Sequence, residues 1–340
     1  MTETAIEFVD VVKRYGSATA VDRISFAIAK GELVTFLGPS GCGKTTSLRL
    51  IAGLELPTDG QVRIAGRDVS RDPASERNVG MVFQSYALFP HMTVLDNVSY
   101  GPTIRGVAKT EARDRARAIL DQVGLGGLEA RLPSELSGGQ QQRVAVARAI
   151  VQQPDVLLFD EPLSNVDAKL RRKVRAEIRD LQQRFGLTAV YVTHDQEEAL
   201  AVSDRIVVMK MGQIAQIGTP AELYERPASA FVADFIGDAN LIEGRVQDGT
   251  FTAAHLALPV TAEDGIVTAT IRPERIRLSS GGAATILSAS YLGSRMEYVV
   301  QDENLEFLVS RPISDPRLAA GDKVDLQLDP SDLILVRQDT

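Results

Sequence analysis

The chain has 340 residues, 44% of them hydrophobic and 24% charged, enough for a sizeable core and more consistent with two domains than one. The formal net charge of -8 argues against a general nucleic-acid binder, more so toward the end, where residues 241–340 carry 9 basic and 15 acidic side chains against 28 and 30 in residues 1–240. A single cysteine, Cys42, excludes an internal disulfide and fits a reducing compartment, and no run approaches the ~18 apolar residues that span a bilayer, so a membrane role has to come through a partner.

Met1 to Asp10 holds acidic residues and no basic, apolar leader pattern, so it is not expected to be a secretory signal. Residues 3–37 read as strands and turns, ending in the apolar, β-branched run Leu33-Val34-Thr35-Phe36-Leu37, which suits a strand buried on both faces. Gly38-Pro39-Ser40-Gly41-Cys42-Gly43-Lys44-Thr45 follows, matching the phosphate-binding pattern G-x-x-x-x-G-K-[ST], and a helix is expected from Lys44 to Ala52, stopped at Gly53. Between a buried strand and a helix start, the glycines turn backbone N–H groups toward one centre at the positive end of the helix dipole. Lys44 is then expected to hold the β- and γ-phosphates, and the Thr45 hydroxyl to bind magnesium.

Helical stretches at 109–123, 139–152, 168–184 and 196–202 alternate with buried runs at Val156–Phe159, Ala189–Val192 and Ile206–Met209, which implies an α/β fold with a mainly parallel sheet. Val156–Phe159 delivers Asp160-Glu161-Pro162 to the C-terminal edge of that sheet, where open α/β sheets bind ligands. Asp160 is expected to bind magnesium through water, and Glu161, projected by a proline that cannot continue the sheet, to polarise the attacking water as general base.

Leu136-Ser137-Gly138-Gly139-Gln140 narrows the field; a five-residue match of this kind arises by chance on the order of once in a few thousand chains. It opens a helix and so makes a second anion site. One nucleotide needs one cradle, so the second makes sense if it closes on ATP held by another copy.

With these motifs the sequence resembles the ABC ATPase family over its whole length. The resemblance implies that Tyr15 stacks on adenine, that Gln84 in Val82-Phe83-Gln84-Ser85 reaches magnesium and the attacking water, that His194 in Thr193-His194-Asp195 contacts the γ-phosphate, and that Asp167 crosses to the partner copy. The commoner family form has Ala-Leu where this chain has Asn165-Val166. The expected site is therefore Glu161, His194 and Gln84 for catalysis; Tyr15, Ser40, Gly41, Cys42, Gly43, Lys44, Thr45 and Thr46 for ATP; Ser137, Gly138, Gly139, Gln140 and Asp167 for ATP in trans; and Thr45, Gln84 and Asp160 for magnesium. His91 and His255 have no motif around them, and three scattered histidines with one cysteine offer no metal cluster.

After about Gly237 the texture changes to short alternating strands, Ile271–Leu278, Tyr291–Gln301, Leu305–Ser310, Val324–Leu328 and Leu333–Val336. The expected domains are an ABC ATPase over 1–238, with a helical subdomain at about 86–155, and a small all-β, OB-like domain over 239–340. The latter resembles the TOBE extension through Ile271-Arg272-Pro273-Glu274-Arg275-Ile276 and Tyr291-Leu292-Gly293-Ser294.

What the family implies is a homodimer that hydrolyses ATP with magnesium on two copies or halves of a transmembrane permease, at the cytoplasmic face of the bacterial inner membrane, fed by a solute-binding protein and without nucleic acid. Residues 85–94, with three bulky apolar groups and a proline, are the expected docking surface. Ala201-Val202-Ser203-Asp204 through Phe235–Asn240 looks most like ferric-iron importers; polyamine, aminoethylphosphonate and thiamine systems are near alternatives, with sulfate and sugar further off. A soluble P-loop kinase has no use for Leu136–Gln140, and non-transport ABC proteins usually carry two cassettes or long coiled-coil insertions.

Overall fold

In the computed structural model, which describes residues 3–164 and 168–336, the chain begins with β1 (Thr4–Tyr15) and β2 (Ala18–Ala29), an antiparallel pair. β3 (Leu33–Leu37) is buried at every position and runs into α1 (Lys44–Ala52), which ends at Gly53 in the left-handed conformation. β4 (Asp59–Ile64) pairs with β1, and β5 (Arg67–Asp68) closes that sheet in the order β2-β1-β4-β5. β6 (Val79–Val82) precedes a helical layer of α2 (Val94–Ile104), α3 (Lys109–Gln122) and α4 (Gly138–Ile150). β7 (Val156–Asp160), α5 (Ala168–Phe185), β8 (Ala189–Val192), α6 (Gln196–Val202), β9 (Arg205–Lys210) and β10 (Gln213–Gly218) follow.

The second sheet has the order β10-β9-β3-β8-β7-β6, and its pairs are parallel except the one made by β10. Side chains alternate across it with the period of two that strands impose. Leu33, Leu157, Phe159 and Tyr191 join one core with α2, α3, α4 and α5, whereas Val34, Phe36, Leu158, Val190 and Val192 join another with α1 and the first sheet. Two buried faces explain the unbroken apolar runs. Phe159 is 1% exposed, and truncating such a residue to alanine typically costs about 3–5 kcal/mol, so the strand that carries Asp160 is held firmly.

The chain divides into two compact units, Met1–Pro220 and Ala221–Thr340. The second holds α7 (Ala230–Phe235) and two sheets: β13-β12-β11-β14-β19, made of β11 (Asn240–Gln247), β12 (Thr250–Ala253), β13 (Leu256–Pro259), β14 (Gly265–Ile271) and β19 (Ile334–Val336), and β17-β16-β15-β18, made of β15 (Arg277–Tyr291), β16 (Arg295–Asp302), β17 (Leu305–Pro312) and β18 (Lys323–Gln327). They share a core around Phe251, Tyr298 and Phe307. Arg272 is buried and donates to the carbonyls of Tyr224, Ala233, Gly237 and Asp238, which ties residues 224–238 to this unit. The single strand expected over Ile271–Leu278 is instead two, because Pro273–Arg275 forms a 3-10 turn at a residue that has no N–H to give a ladder. No described helix is long and apolar enough to cross a membrane.

Candidate functional site

The sheet order places the expected catalytic segments side by side. β3, β8, β7 and β6 are consecutive neighbours and parallel, so their C-terminal ends lie along one edge. Those ends carry, in that order, the Gly38–Thr45 loop, Thr193-His194, Asp160-Glu161 and Phe83-Gln84. Segments far apart in the chain are thereby brought to the crevice where open α/β sheets bind ligands.

The loop has a shape that side chains would destroy. Gly43 has φ 104, and a Cβ there would sit 2.5 Å from the Ala20 carbonyl oxygen. Lys44 is 6% exposed; its Nζ donates to the Gly38 carbonyl at 2.7 Å and the Pro39 carbonyl at 2.9 Å. The ammonium thus already sits inside the turn that a phosphate would occupy. Ser40 and Gly41 are exposed, and Thr45 and Thr46 are half-buried at the first turn of α1. Cys42 differs: its side chain is 4% exposed and belongs to the core, and burial pushes its thiol up despite nearby Lys44, so only its backbone faces the loop's task. The far end of α1 is held by Arg77, fully buried, which donates to the Ile51 carbonyl at 2.9 Å and the Asp72 carbonyl at 3.0 Å.

Asp160 ends β7 half-buried. Burial pushes its carboxyl up; the Arg49 charge pulls it back and the Glu161 charge pushes it up further. Glu161 takes a left-handed backbone, φ 45, a strained conformation for a residue with a side chain. Its N–H donates to the Val192 carbonyl at 3.1 Å, and its Oε2 lies 3.2 Å from His194 Nδ1. The His194 side chain is otherwise open to solvent at 61%. The segment behind it is rigid: Glu198, buried, accepts from the Tyr191 hydroxyl at 3.1 Å and Thr193 Oγ1 at 2.8 Å, while Asp195 caps α6 by accepting from the Glu198 N–H at 3.0 Å. Arg171 lies 3.2 Å from Asp195 and 3.7 Å from Glu198. Burial pushes the Glu198 carboxyl up, against the hydrogen bonds it accepts.

Gln84 is exposed beyond the end of β6. Tyr15 is 46% exposed at the end of β1 and is therefore no core aromatic; Lys13 Nζ lies 4.9 Å from its ring centroid and is held by Glu55 at 2.8 Å. Ser137 to Gln140 open α4 rather than extending a strand. Ser137 caps the helix, taking the Gln140 N–H on its hydroxyl at 3.4 Å and giving its own N–H to Gln140 Oε1 at 2.9 Å. Among the described residues no hydrogen bond joins Ser137 to the edge that carries Lys44, Asp160, Glu161 and His194. Gly138 is exposed and Gly139 buried. Asp167, with Asn165 and Val166, lies outside the described residues.

Residues 85–94 divide between two roles. Tyr86, 8% exposed, and Leu88 fill the core, contrary to the expectation that all three bulky groups face outward. Phe89 instead lines a groove of about 540 Å³ with Phe83, Tyr100, Ile104 and Arg148. Its ring centroid is 4.9 Å from that of Tyr100. Tyr100, Ile104 and Arg148 were not legible as a site. Tyr100 and Ile104 belong to α2, which is capped by Thr93 accepting from the Asp96 N–H, a start signal that the later Gly101-Pro102 pair obscures.

Among the described residues no group of His, Cys, Asp and Glu side chains makes a metal cage. Asp160, half-buried on the edge that also carries the Gly38–Thr45 loop, nevertheless offers a carboxylate to a hard cation that takes most of its ligands from phosphates and water. Magnesium fits these residues.

Comparison with known proteins gives one answer along the chain. A family profile described as ABC transporter matches residues 21–164, and one described as TOBE domain matches residues 269–336. The chain is 51% identical to the Fe(3+) ions import ATP-binding protein FbpC of Brucella abortus, over 98% of each chain, and 57% identical to the protein of the same name from Rhizobium etli, over 88% of each. A solved dimeric bacterial ABC transporter cassette is 33% identical and superposes with a TM-score of 0.56 over 63% of this chain and 98% of its own. The structure of cbiO1 from Clostridium perfringens, part of an ABC transporter complex, gives 28% identity and a TM-score of 0.60 over 65% and 90%.

Proposed function

Because the chain belongs to the ATP-binding subunits of ABC transporters, we propose that it hydrolyses ATP as one half of a homodimer and so drives uptake of ferric iron through a separate permease. The observation that carries the catalytic part is the edge formed by β3, β8 and β7, with Glu161 Oε2 3.2 Å from His194. The cargo follows from relatives of this identity that are named for Fe(3+) import.

Lys44 leaves the Gly38 and Pro39 carbonyls for the β- and γ-phosphates, while loop N–H groups and the α1 N-terminus meet the remaining charge. Thr45, Asp160 and Gln84 would hold magnesium, which when bound would neutralise charge that builds on the phosphoryl oxygens. Glu161 takes a proton from the attacking water, and His194 contacts the γ-phosphate from the adjacent strand. Tyr15 stacks on adenine. Ser137 and the glycines beside it, which open α4, serve ATP held on the partner copy, where Asp167 also crosses. By function we divide the chain into an ATPase domain over 1–238, with a helical subdomain at about 86–155, and a β domain over 239–340, residues 221–238 packing with the latter.

The subunit works at the cytoplasmic face of the inner membrane, two copies on two permease halves fed by a solute-binding protein. The groove of Phe83, Phe89, Tyr100 and Ile104 receives the permease: it is apolar and opens beside the Gln84 segment. Phe89→Ala is expected to lower permease co-purification and permease-dependent ATPase far more than ATPase measured without permease. Equal loss of both would show that Phe89 only fills the fold.

Cargo is tested by isolating the permease and binding protein that co-purify with this chain. A binding protein that takes ferric iron, and radio-iron uptake by cells that stops with Glu161→Gln, support the reading. A binding protein that takes a polyamine, aminoethylphosphonate or thiamine and leaves iron overturns it.

A further inference from the structure

Arg148 lies on α4 eleven residues beyond Ser137, about 16 Å along a helix that rises ~1.5 Å per residue. Its Nη1 donates to the Ala87 carbonyl at 2.7 Å and its Nη2 to the Tyr86 carbonyl at 2.9 Å. Its guanidinium carbon is 5.5 Å from the Phe89 ring centroid, and the side chain lines the groove with Phe89 and Tyr100. The two carbonyls belong to an unusual turn. Tyr86 has φ 59 and Ala87 φ 47, two successive residues with side chains in the left-handed region, where surroundings have to hold them. The Tyr86 ring is anchored in the core, its N–H donates to the Phe83 carbonyl at 2.9 Å, and Gln84 stands two residues upstream.

We propose that Arg148 is a positioning residue that transmits occupancy of the Phe89 groove to the Ser137 tip: its guanidinium fork locks the strained Tyr86–Ala87 turn to α4, so that turn, groove wall and helix move together. This rests on the groove being the permease site. Three features favour transmission over plain packing. The fork bonds backbone, so it senses the path of the turn rather than one side chain. A guanidinium fixes the spacing of the two carbonyls, which a lysine ammonium cannot. The held turn lies between Gln84, at the catalytic edge, and Phe89, in the groove, so one side chain touches the connection at its midpoint.

The test uses Arg148→Lys in the reconstituted complex with permease, reading co-purification, thermal stability and the ratio of permease-stimulated to permease-free ATPase. The ratio is expected to fall about tenfold, the scale of losing one hydrogen bond from a charged donor, in complexes that assemble at the normal yield. An unchanged ratio overturns the proposal. So does loss of assembly with a normal ratio in the complexes that remain, because Arg148 would then only dock. Phe89→Ala distinguishes the underlying reading: if that variant keeps full co-purification, the groove is not the permease site, whatever Arg148 does. If Arg148→Lys does not fold, Ala87→Gly keeps both carbonyls and accepts the positive φ without strain. It is expected to lower the ratio without lowering thermal stability, and an unchanged ratio there also overturns the proposal.

Discussion

Glu161→Gln is expected to lower the ATPase rate about 10²–10⁴-fold, the usual consequence of removing a positioned general base, while ATP affinity stays within a few-fold. The substitution keeps size and shape. The left-handed backbone at φ 45 and the Val192 hydrogen bond do not depend on the carboxylate, so the loop geometry survives. What disappears is the proposed acceptor for the water's proton, 3.2 Å from His194. Phosphate release at saturating magnesium-ATP, beside a fluorescent-nucleotide titration, separates the two effects. A rate within a few-fold of the parent would remove Glu161 from the chemistry.

Lys44→Ala acts earlier. In the proposed site its Nζ is the cation of the cradle, and in this structure it also satisfies the carbonyls of Gly38 and Pro39. Alanine therefore removes a charge-assisted contact to phosphate and leaves two carbonyls without their donor. Hydrogen bonds to charged groups are worth about 1.5–3 kcal/mol, so ATP affinity is expected to fall roughly ten- to a hundredfold. Calorimetric titration checks this, and unchanged affinity would place the phosphates elsewhere.

Much of this site was legible because each motif sits at the end of a buried apolar run, and such runs are the least ambiguous strands in an α/β sequence. β3, β7 and β8 announced themselves, and with them Lys44, Asp160, Glu161 and His194. Strand order was not in the sequence; it comes from which faces pack, and it is what makes His194 a neighbour of Glu161. The groove was hidden for three reasons. Gly101 and Pro102 read as breakers, yet Pro102 is buried within the last turns of α2. The Tyr86–Ala87 turn takes left-handed angles without a glycine to mark it. Arg148 reaches the turn from 61 residues away. The support of the His194 segment was partly readable, since Asp195 and Glu198 stand at the spacing of a helix cap, but the Tyr191 and Thr193 hydroxyls on Glu198 follow only from the fold. In the β domain the long strand β15 was missed because Gly281-Gly282 looks like a turn. Gly282, at φ 134, instead allows a bulge where a Cβ would come within 2.5 Å of the Val324 carbonyl.

The proposed dimeric cycle turns on ATP being clasped between Lys44 of one copy and the Ser137 tip of another. The direct measurement is the solution mass of Glu161→Gln with magnesium-ATP, with magnesium-ADP, and with magnesium-ATP after adding Ser137→Arg. The mass is expected to double with ATP alone, and to return to that of one chain in the double variant although ATP still binds. A doubled mass that persists with Ser137→Arg, or a single-chain mass in saturating ATP without it, would contradict the clasp.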